Sequence, residues 1–335
     1  MANILVTGGA GYIGSHAVKL LGRAGHRLVV LDNLSKGHRD AVLSGELIVG
    51  DTGDAALVNH LLQQHQIETV MHFAAWTSVP ESVAEPLKYY RNNTCNARTL
   101  IECCIANQVQ NFIFSSTAAV YGVPALPICR EDTPTAPINP YGASKLMAEQ
   151  ILRDACAASS MRHVILRYFN VAGCDPEGEI GQSTPQATLL IKVACEVATG
   201  KRDELRVFGT DYPTPDGTGV RDYIHVCDLA DAHLRAMDYL ASGGPSATLN
   251  CGYGHGYSVR QVIAAVERLT GRSLPVNYAA RRTGDPPELV ADASALQQRF
   301  AWRAQYDNLD TIVRTAFTWE EKIARGQVAA GRAIA

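Results

Sequence analysis

The chain has 335 residues, 47% of them hydrophobic and 19% charged, with a formal net charge of −3 at neutral pH. That length allows a large core in two domains or one large one, and the near-neutral balance offers nothing to nucleic acid or to an anionic membrane surface. No basic segment precedes an apolar one at the start, and no apolar run approaches the roughly 18 residues of a membrane helix. The nine cysteines, odd in number and without a CxxC pair, fit reduced thiols in a cytoplasmic protein better than a disulfide framework or a metal site.

In chain order, an apolar strand from Ile4 to Val6 meets glycines, a helical pattern from Ile13 to Leu21, and a second strand from Leu28 to Leu31. Together these make a strand–helix–strand unit of about 30 residues. Further strands are predicted in LIVGD, TVMHFAA, NFIFSS and HVILRYFN, the last ending at Asn170. Helical patterns such as AALVNHLLQQH and ARTLIECCIANQ lie between them. Strands alternating with helices predict a parallel sheet covered on both faces, a Rossmann-type doubly wound α/β fold. After Asn170 the texture changes. VAGCDPEGEIGQSTPQ reads as an irregular loop, with helices expected from Ala187 to Thr199 and from Val226 to Leu240. The expected organisation is a nucleotide-binding domain over 1–170 and a smaller mixed α/β substrate domain over 171–335, with 222–240 packing back on the first. No internal repeat or flexible linker is evident, and ligands are expected in a cleft at the carboxyl ends of the strands.

Gly8, Gly9, Gly11 and Gly14 fit two spacings, Gly9-x-Gly11-x-x-Gly14 and Gly8-x-x-Gly11-x-x-Gly14. Such a turn between strand and helix lets backbone N–H groups and the helix N-terminus hold a pyrophosphate. Asp32 ends the second strand about 20 residues on, where a carboxylate accepts from ribose hydroxyls and repels a 2′-phosphate. NAD is therefore expected rather than NADP, a preference softened by Lys36 and Arg39.

NPYGASK places Tyr141 and Lys145 one helical turn apart, on one face. An ammonium beside a phenol favours the phenolate, which suits a general base. His16, His72 and His225 have no metal-ligand spacing and read as structural, so no metal is expected.

The stretches GGAGYIGSH, HFAA, ESVAEPLKYYRNN, FSSTAAVYG, NPYGASKLMAEQIL, LRYFN, DYPTPDGTGVRDYIHVCDLADAH and RRTGDPPELVAD resemble the extended short-chain dehydrogenase/reductase superfamily and, within it, the UDP-glucose 4-epimerase family. The resemblance runs from about residue 3 to about residue 320. It implies Tyr141 as catalytic base, Lys145 as its partner and Thr117 as the hydroxyl that bonds the sugar's 4-hydroxyl. Toward NAD it implies Gly8, Gly11 and Gly14 in the turn, Tyr12 and Ile13 at the pyrophosphate, and Asp32 with Asn33 at the adenosine ribose. It further implies Asp51 and Thr52 by the adenine, Phe73, Ala74, Ala75 and Asn92 along the cofactor, and Phe169 beside the nicotinamide. Toward the UDP-sugar it implies Asn170, Leu190, Phe208, Arg221, Arg282, Asp285 and Leu289, the arginines suiting a diphosphate. It also implies a homodimer, through paired helices such as 89–107 and 141–157.

Three positions depart from the family. Thr77 stands where it often has a lysine near the cofactor phosphates, and Leu189 where it has an asparagine near the UDP phosphate. Leu289 stands where hexose-restricted members have a tyrosine, which predicts tolerance for N-acetylhexosamines. A UDP-xylose/UDP-arabinose 4-epimerase fits the same motifs. A dehydratase would need an acid after Thr117, where Ala118 and Ala119 stand. A non-catalytic NAD-binding sensor would have no need of both Tyr141 and Lys145.

Overall fold

A computed structural model describes residues 1–282 and 284–328. Seven parallel strands form the central sheet, in the order Ala247–Cys251, Arg162–Tyr168, Asn111–Thr117, Thr69–His72, Asn3–Thr7, Arg27–Asp32, Glu46–Val49. Side chains alternate across a strand, so each strand feeds two cores. Ile4, Val6, Val30, Met71, Ile113, Val164 and Leu166 join one core with Val18 and Leu21 of helix Tyr12–Arg23 and Leu229, Ala232 and Ala236 of helix Val226–Ala241. Leu5, Val29, Leu31, Val70, Phe112, Phe114 and Ile165 join the other, beneath helices Ala55–Gln64, Asn96–Ala106 and Pro140–Ala157. Near-continuous apolar strands are what two-sided burial demands. The winding reverses between Asn3–Thr7 and Thr69–His72, and a crevice opens at the carboxyl ends there.

Three strands beyond residue 170, Tyr257–Ser258, Val220–Arg221 and Glu288–Ala291, form a second, four-stranded sheet with Ile128–Cys129. Helix Val259–Thr270 packs on it, and helices Leu190–Ala198 and Leu309–Ala324 pack against that helix. Backbone pairing crosses residue 170 in both directions. Ala247–Cys251 joins the central sheet, and Ile128–Cys129 joins the second one. Among the described residues no helix is long and apolar enough to cross a membrane.

Three local readings change. The loop expected after Asn170 opens with a strand, Asn170–Ala172, because Tyr223–His225 pairs alongside it. The helix expected from Ala187 begins at Leu190, since Leu189 stays extended with ψ 130°. The helix expected over 89–107 is interrupted by a π turn at Tyr90–Cys95, between Pro86–Tyr89 and Asn96–Ala106. Such wide turns are common where a helix turns side chains toward a site, and this one carries Asn92 and Asn93.

Candidate active site

The glycine turn is shaped by close approach. Gly8 has φ +72°, and a Cβ there would stand 2.5 Å from the Ala74 nitrogen. A Cβ on Gly14 would stand 2.2 Å from the Gly8 oxygen. Gly9 instead faces the packing, 2.7 Å from a Val30 methyl by the same measure. Of the four glycines in the turn, Gly8 and Gly11 line the crevice. Gly11 precedes helix Tyr12–Arg23 and no side chain caps that helix, so its first N–H groups are left for a ligand. The Tyr12 hydroxyl donates to the Gly173 carbonyl at 2.5 Å, and Ile13 packs against the core. Only the backbones of Tyr12 and Ile13 remain for a phosphate.

The crevice continues over Asp32, Asn33, Asp51, Thr52, Phe73, Ala74, Ala75, Trp76 and Asn92. Asp32 is held in the turn, accepting from the Ala10 and Leu34 N–H groups at 2.9 and 2.8 Å. Burial pushes its carboxyl up, and those two bonds pull it back. Asn33 donates to Asp51 at 3.0 Å, and Asp51 also accepts from Asn96 at 2.8 Å. Phe73 lies against His233 at 4.6 Å. A glycine cradle with an open helix end, next to a carboxylate at the end of the second strand, fits a dinucleotide with free ribose hydroxyls.

Helix Pro140–Ala157 begins where Asn139 accepts from the Gly142 N–H at 2.9 Å, with Pro140 in the first turn. That start fixes Tyr141 at the crevice end of the helix. Tyr141 is half-buried, edge-on to Tyr89 at 6.4 Å. Burial raises its phenol, and the nearby Thr117 hydroxyl, which itself accepts from the Ala119 N–H at 3.1 Å, lowers it. Lys145 is 2% exposed. It donates to the Ser115 carbonyl at 2.7 Å and stands 4.9 Å from the Phe114 ring centroid. Burial brings its ammonium down to about 7, against the pull of Glu149. The ammonium thus rests on the strand carrying Thr117, not on the phenol. Below them Ser116 donates to Glu149 at 2.5 Å, and Arg167 clasps Glu149 at 2.7 and 3.0 Å. This buried pair ties the helix to strands Asn111–Thr117 and Arg162–Tyr168.

In the second sheet, register pairs Arg221 with Leu289 on neighbouring strands. Arg282 stacks on the Phe208 ring at 3.9 Å. Arg281, its neighbour, turns away to Asp211 at 2.7 Å. Among the described residues neither Arg221 nor Arg282 has a carboxylate partner, because Asp222 is satisfied by the Tyr253, Gly254 and Ala291 N–H groups. Phe169 and Leu289 share a small core with Ala118, Val120 and Tyr121. Asn170, Leu189 and Leu190 line a separate cavity with Tyr223 and Trp319. Asp285 lies in the turn after Arg282, near Tyr212. Sequence reasoning passed over Tyr212, whose buried hydroxyl has no partner among the described residues. Its place between Phe208 and Arg221 was the available signal.

The three motif histidines are structural in geometry. His72 meets Thr7 at 2.6 Å, His16 the Tyr12 carbonyl at 2.7 Å, and His225 Thr315 at 3.0 Å. Burial lowers all three, to about 3 for His72 and His225 and about 4 for His16. The carboxylates that gather closely, Asp175, Glu177 and Glu179, already surround the Lys19 ammonium at 2.7, 2.8 and 2.5 Å.

Residues 4–252 match the family described as NAD dependent epimerase/dehydratase. The UDP-glucose 4-epimerase of Azospirillum brasilense is 54% identical over 98% of this chain and 94% of its own length. The UDP-glucose 4-epimerase of Brucella ovis, solved in complex with NAD, superposes with a TM-score of 0.93 at 46% identity, covering 95% of this chain and 98% of that one. The UDP-Glc/GlcNAc 4-epimerase of Campylobacter jejuni superposes with a TM-score of 0.85 at 48% identity, covering 96% of this chain and 100% of that one. With the family model spanning most of the chain and such relatives covering nearly all of it, the chain belongs to the NAD dependent epimerase/dehydratase family, among its UDP-glucose 4-epimerases.

Proposed function

We propose that the chain interconverts UDP-glucose and UDP-galactose by reversible oxidation at sugar carbon 4, with NAD as resident cofactor. One observation carries this reading. Tyr141 and Lys145 lie one turn apart at the start of a helix packed on strand Asn111–Thr117, which ends in Thr117, and among the described residues Arg221 beside Leu289 and Arg282 on Phe208 have no carboxylate partner. Bound NAD supplies the hydride acceptor and donor for that carbon. Tyr141 takes the proton from the 4-hydroxyl and returns it. Thr117 aligns that hydroxyl. Lys145, when protonated, favours the ionised form of that phenol.

The cofactor side comprises Gly8, Gly11, Gly14, the backbones of Tyr12 and Ile13, Asp32, Asn33, Asp51, Thr52, Phe73, Ala74, Ala75, Asn92 and Phe169. The nucleotide of the substrate is held by Asn170, Leu190, Phe208, Arg221, Arg282 and Asp285. The hexose must turn over between the two half-reactions, so it is held loosely while binding energy from the remote diphosphate anchors the whole. In this reading residues 1–170 face chiefly the cofactor and later residues chiefly the UDP-sugar. Ala118 and Ala119 after Thr117 carry no proton, which disfavours dehydration.

A second substrate class is favoured by Leu289. It pairs in register with Arg221, and it is shorter than tyrosine and donates no hydrogen bond. A side chain of that size is expected to obstruct an N-acetyl group less than tyrosine would, and the relative named for both UDP-Glc and GlcNAc lends support. We also infer a homodimer that works in a reducing, cytoplasmic setting. Val83, Leu87 and Met147 are 64%, 78% and 47% exposed near the helices expected to pair, and all nine cysteines are free.

The test is incubation of purified protein with UDP-galactose, without added NAD, followed by the anomeric NMR signals. UDP-glucose is expected to appear, and UDP-N-acetylglucosamine is expected to convert as well. Tyr141→Phe should lower turnover by about 10²–10⁴-fold. No conversion of either sugar, even with added NAD, would sink the reading.

A further inference from the structure

The crevice assigned to the cofactor is short of positive charge. Asp32 and Asp51 both line it, and among its described lining residues Lys36 is the single cation. A dinucleotide brings two phosphate charges to the glycine turn, where backbone N–H groups offer only partial charges. Thr77, where the resemblance expects a lysine, is exposed and neutral.

Lys36 is exposed but not unsupported. Its Nζ stands 5.0 Å from the centroid of the Trp76 ring, within cation–π range. Trp76 is itself fixed. Its main-chain N–H donates to the Asn93 side chain at 2.9 Å, and its main-chain carbonyl accepts from the Asn93 amide at 2.9 Å. Asn93 donates also to Ser144 at 3.1 Å, on the helix that carries Tyr141 and Lys145. A second lysine, Lys88, lies 4.1 Å from the same ring centroid, but Glu81 binds it at 2.7 Å and it does not line the crevice. Lys36 forms no ion pair among the described residues; Glu81 feels its charge, but the close partner of Glu81 is Lys88, so the Lys36 ammonium is open to a further anion.

We propose that Lys36, steadied on Trp76, is the cation that binds the cofactor's diphosphate in this chain and stands in for a lysine at position 77. This rests on the reading that the crevice holds NAD. A charge-assisted contact of this kind is worth about tenfold in affinity, and it weakens as salt is added.

The test compares wild type, Lys36→Gln, Lys88→Gln and the double variant Lys36→Gln/Thr77→Lys. Two readouts are needed: NAD released from the purified proteins on denaturation, and NAD affinity by tryptophan fluorescence at low and high salt. Lys36→Gln is expected to purify with little NAD, bind it about tenfold more weakly and lose most of the salt dependence. Lys88→Gln should retain NAD as wild type does, and Thr77→Lys should restore retention in the Lys36→Gln background. If wild type holds NAD and Lys36→Gln holds it equally well, the inference is overturned while the cofactor reading stands. Equal losses in the two single variants would also overturn it, since they would trace the effect to the setting of Trp76. A wild type that neither carries nor binds NAD would overturn both.

Discussion

Lys145 is a charge kept where water is scarce. It is 2% exposed and its ammonium has a backbone carbonyl, not a carboxylate, as its close partner. Burial brings it from the ordinary 10.5 down to about 7. Between those two values the unfolded chain binds a proton that the folded chain does not, so this group's contribution to stability rises with pH across that window. Below about pH 7 both states are protonated and the full cost of the buried charge is present. Lys145→Met therefore removes a cost. The variant is expected to be more stable than wild type by about 1–2 kcal/mol at pH 6.5, with the difference shrinking toward pH 9. Denaturant unfolding at both pH values, at matched NAD content, checks it. A gain that is absent, or the same at both, would remove the electrostatic account. Turnover should fall in the same variant, because the phenol of Tyr141 loses the charge that favours its ionised form.

The element that sets Tyr141 in place is the start of helix Pro140–Ala157. Asn139 caps it through the Gly142 N–H at 2.9 Å, and Gly142 lies so close to the Ala119 carbonyl that a Cβ would come within 2.6 Å. Asn139→Ala is expected to cost about 1 kcal/mol and a few degrees in Tm. Activity should fall further than stability, because the frayed turn is the one that aims Tyr141. A calorimetric scan beside a rate measurement reads both, and an unchanged rate in a destabilised variant would show that the cap does not position the phenol. This helix was legible in advance because its signals are local: Asn-Pro before an apolar period. The glycine turn and the central strands were legible for the same reason. The π turn at Tyr90–Cys95 was not, since it is set by Asn93 reaching two distant partners, Trp76 and Ser144. Nor did spacing reveal that Lys145 would rest on Ser115, that the Tyr12 hydroxyl would go to Gly173, or that Arg221 would lie beside Leu289. Those are contacts across 30, 161 and nearly 70 residues of chain, and no local pattern encodes them.

At the scale of the whole molecule, chain order and layer order disagree. Read along the sequence, the sheet looks complete at Asn170. In space its edge is Ala247–Cys251, and one of its two faces is covered partly by helix Val226–Ala241. That face holds Ile4, Val6, Val30, Met71, Ile113, Val164 and Leu166, each fully or almost fully buried. A fragment ending at residue 170 would leave much of that face in water. Helix Tyr12–Arg23 would also lose its neighbour, and Lys19 its partners Asp175, Glu177 and Glu179. An uncovered parallel sheet of this kind does not occur as a stable soluble layer, and the exposed apolar area would favour association. Residues 1–170 expressed alone are therefore expected to lack a cooperative unfolding transition and to bind no NAD, although they contain the glycine turn, Asp32, Tyr141 and Lys145. A fragment 1–252, which adds the edge strand and the covering helix, should recover more ordered structure. Thermal unfolding and NAD titration of the two fragments decide the matter. A monomeric 1–170 fragment that melts cooperatively and binds NAD would mean that the first half is a self-sufficient domain and that the later strand and helix merely decorate it.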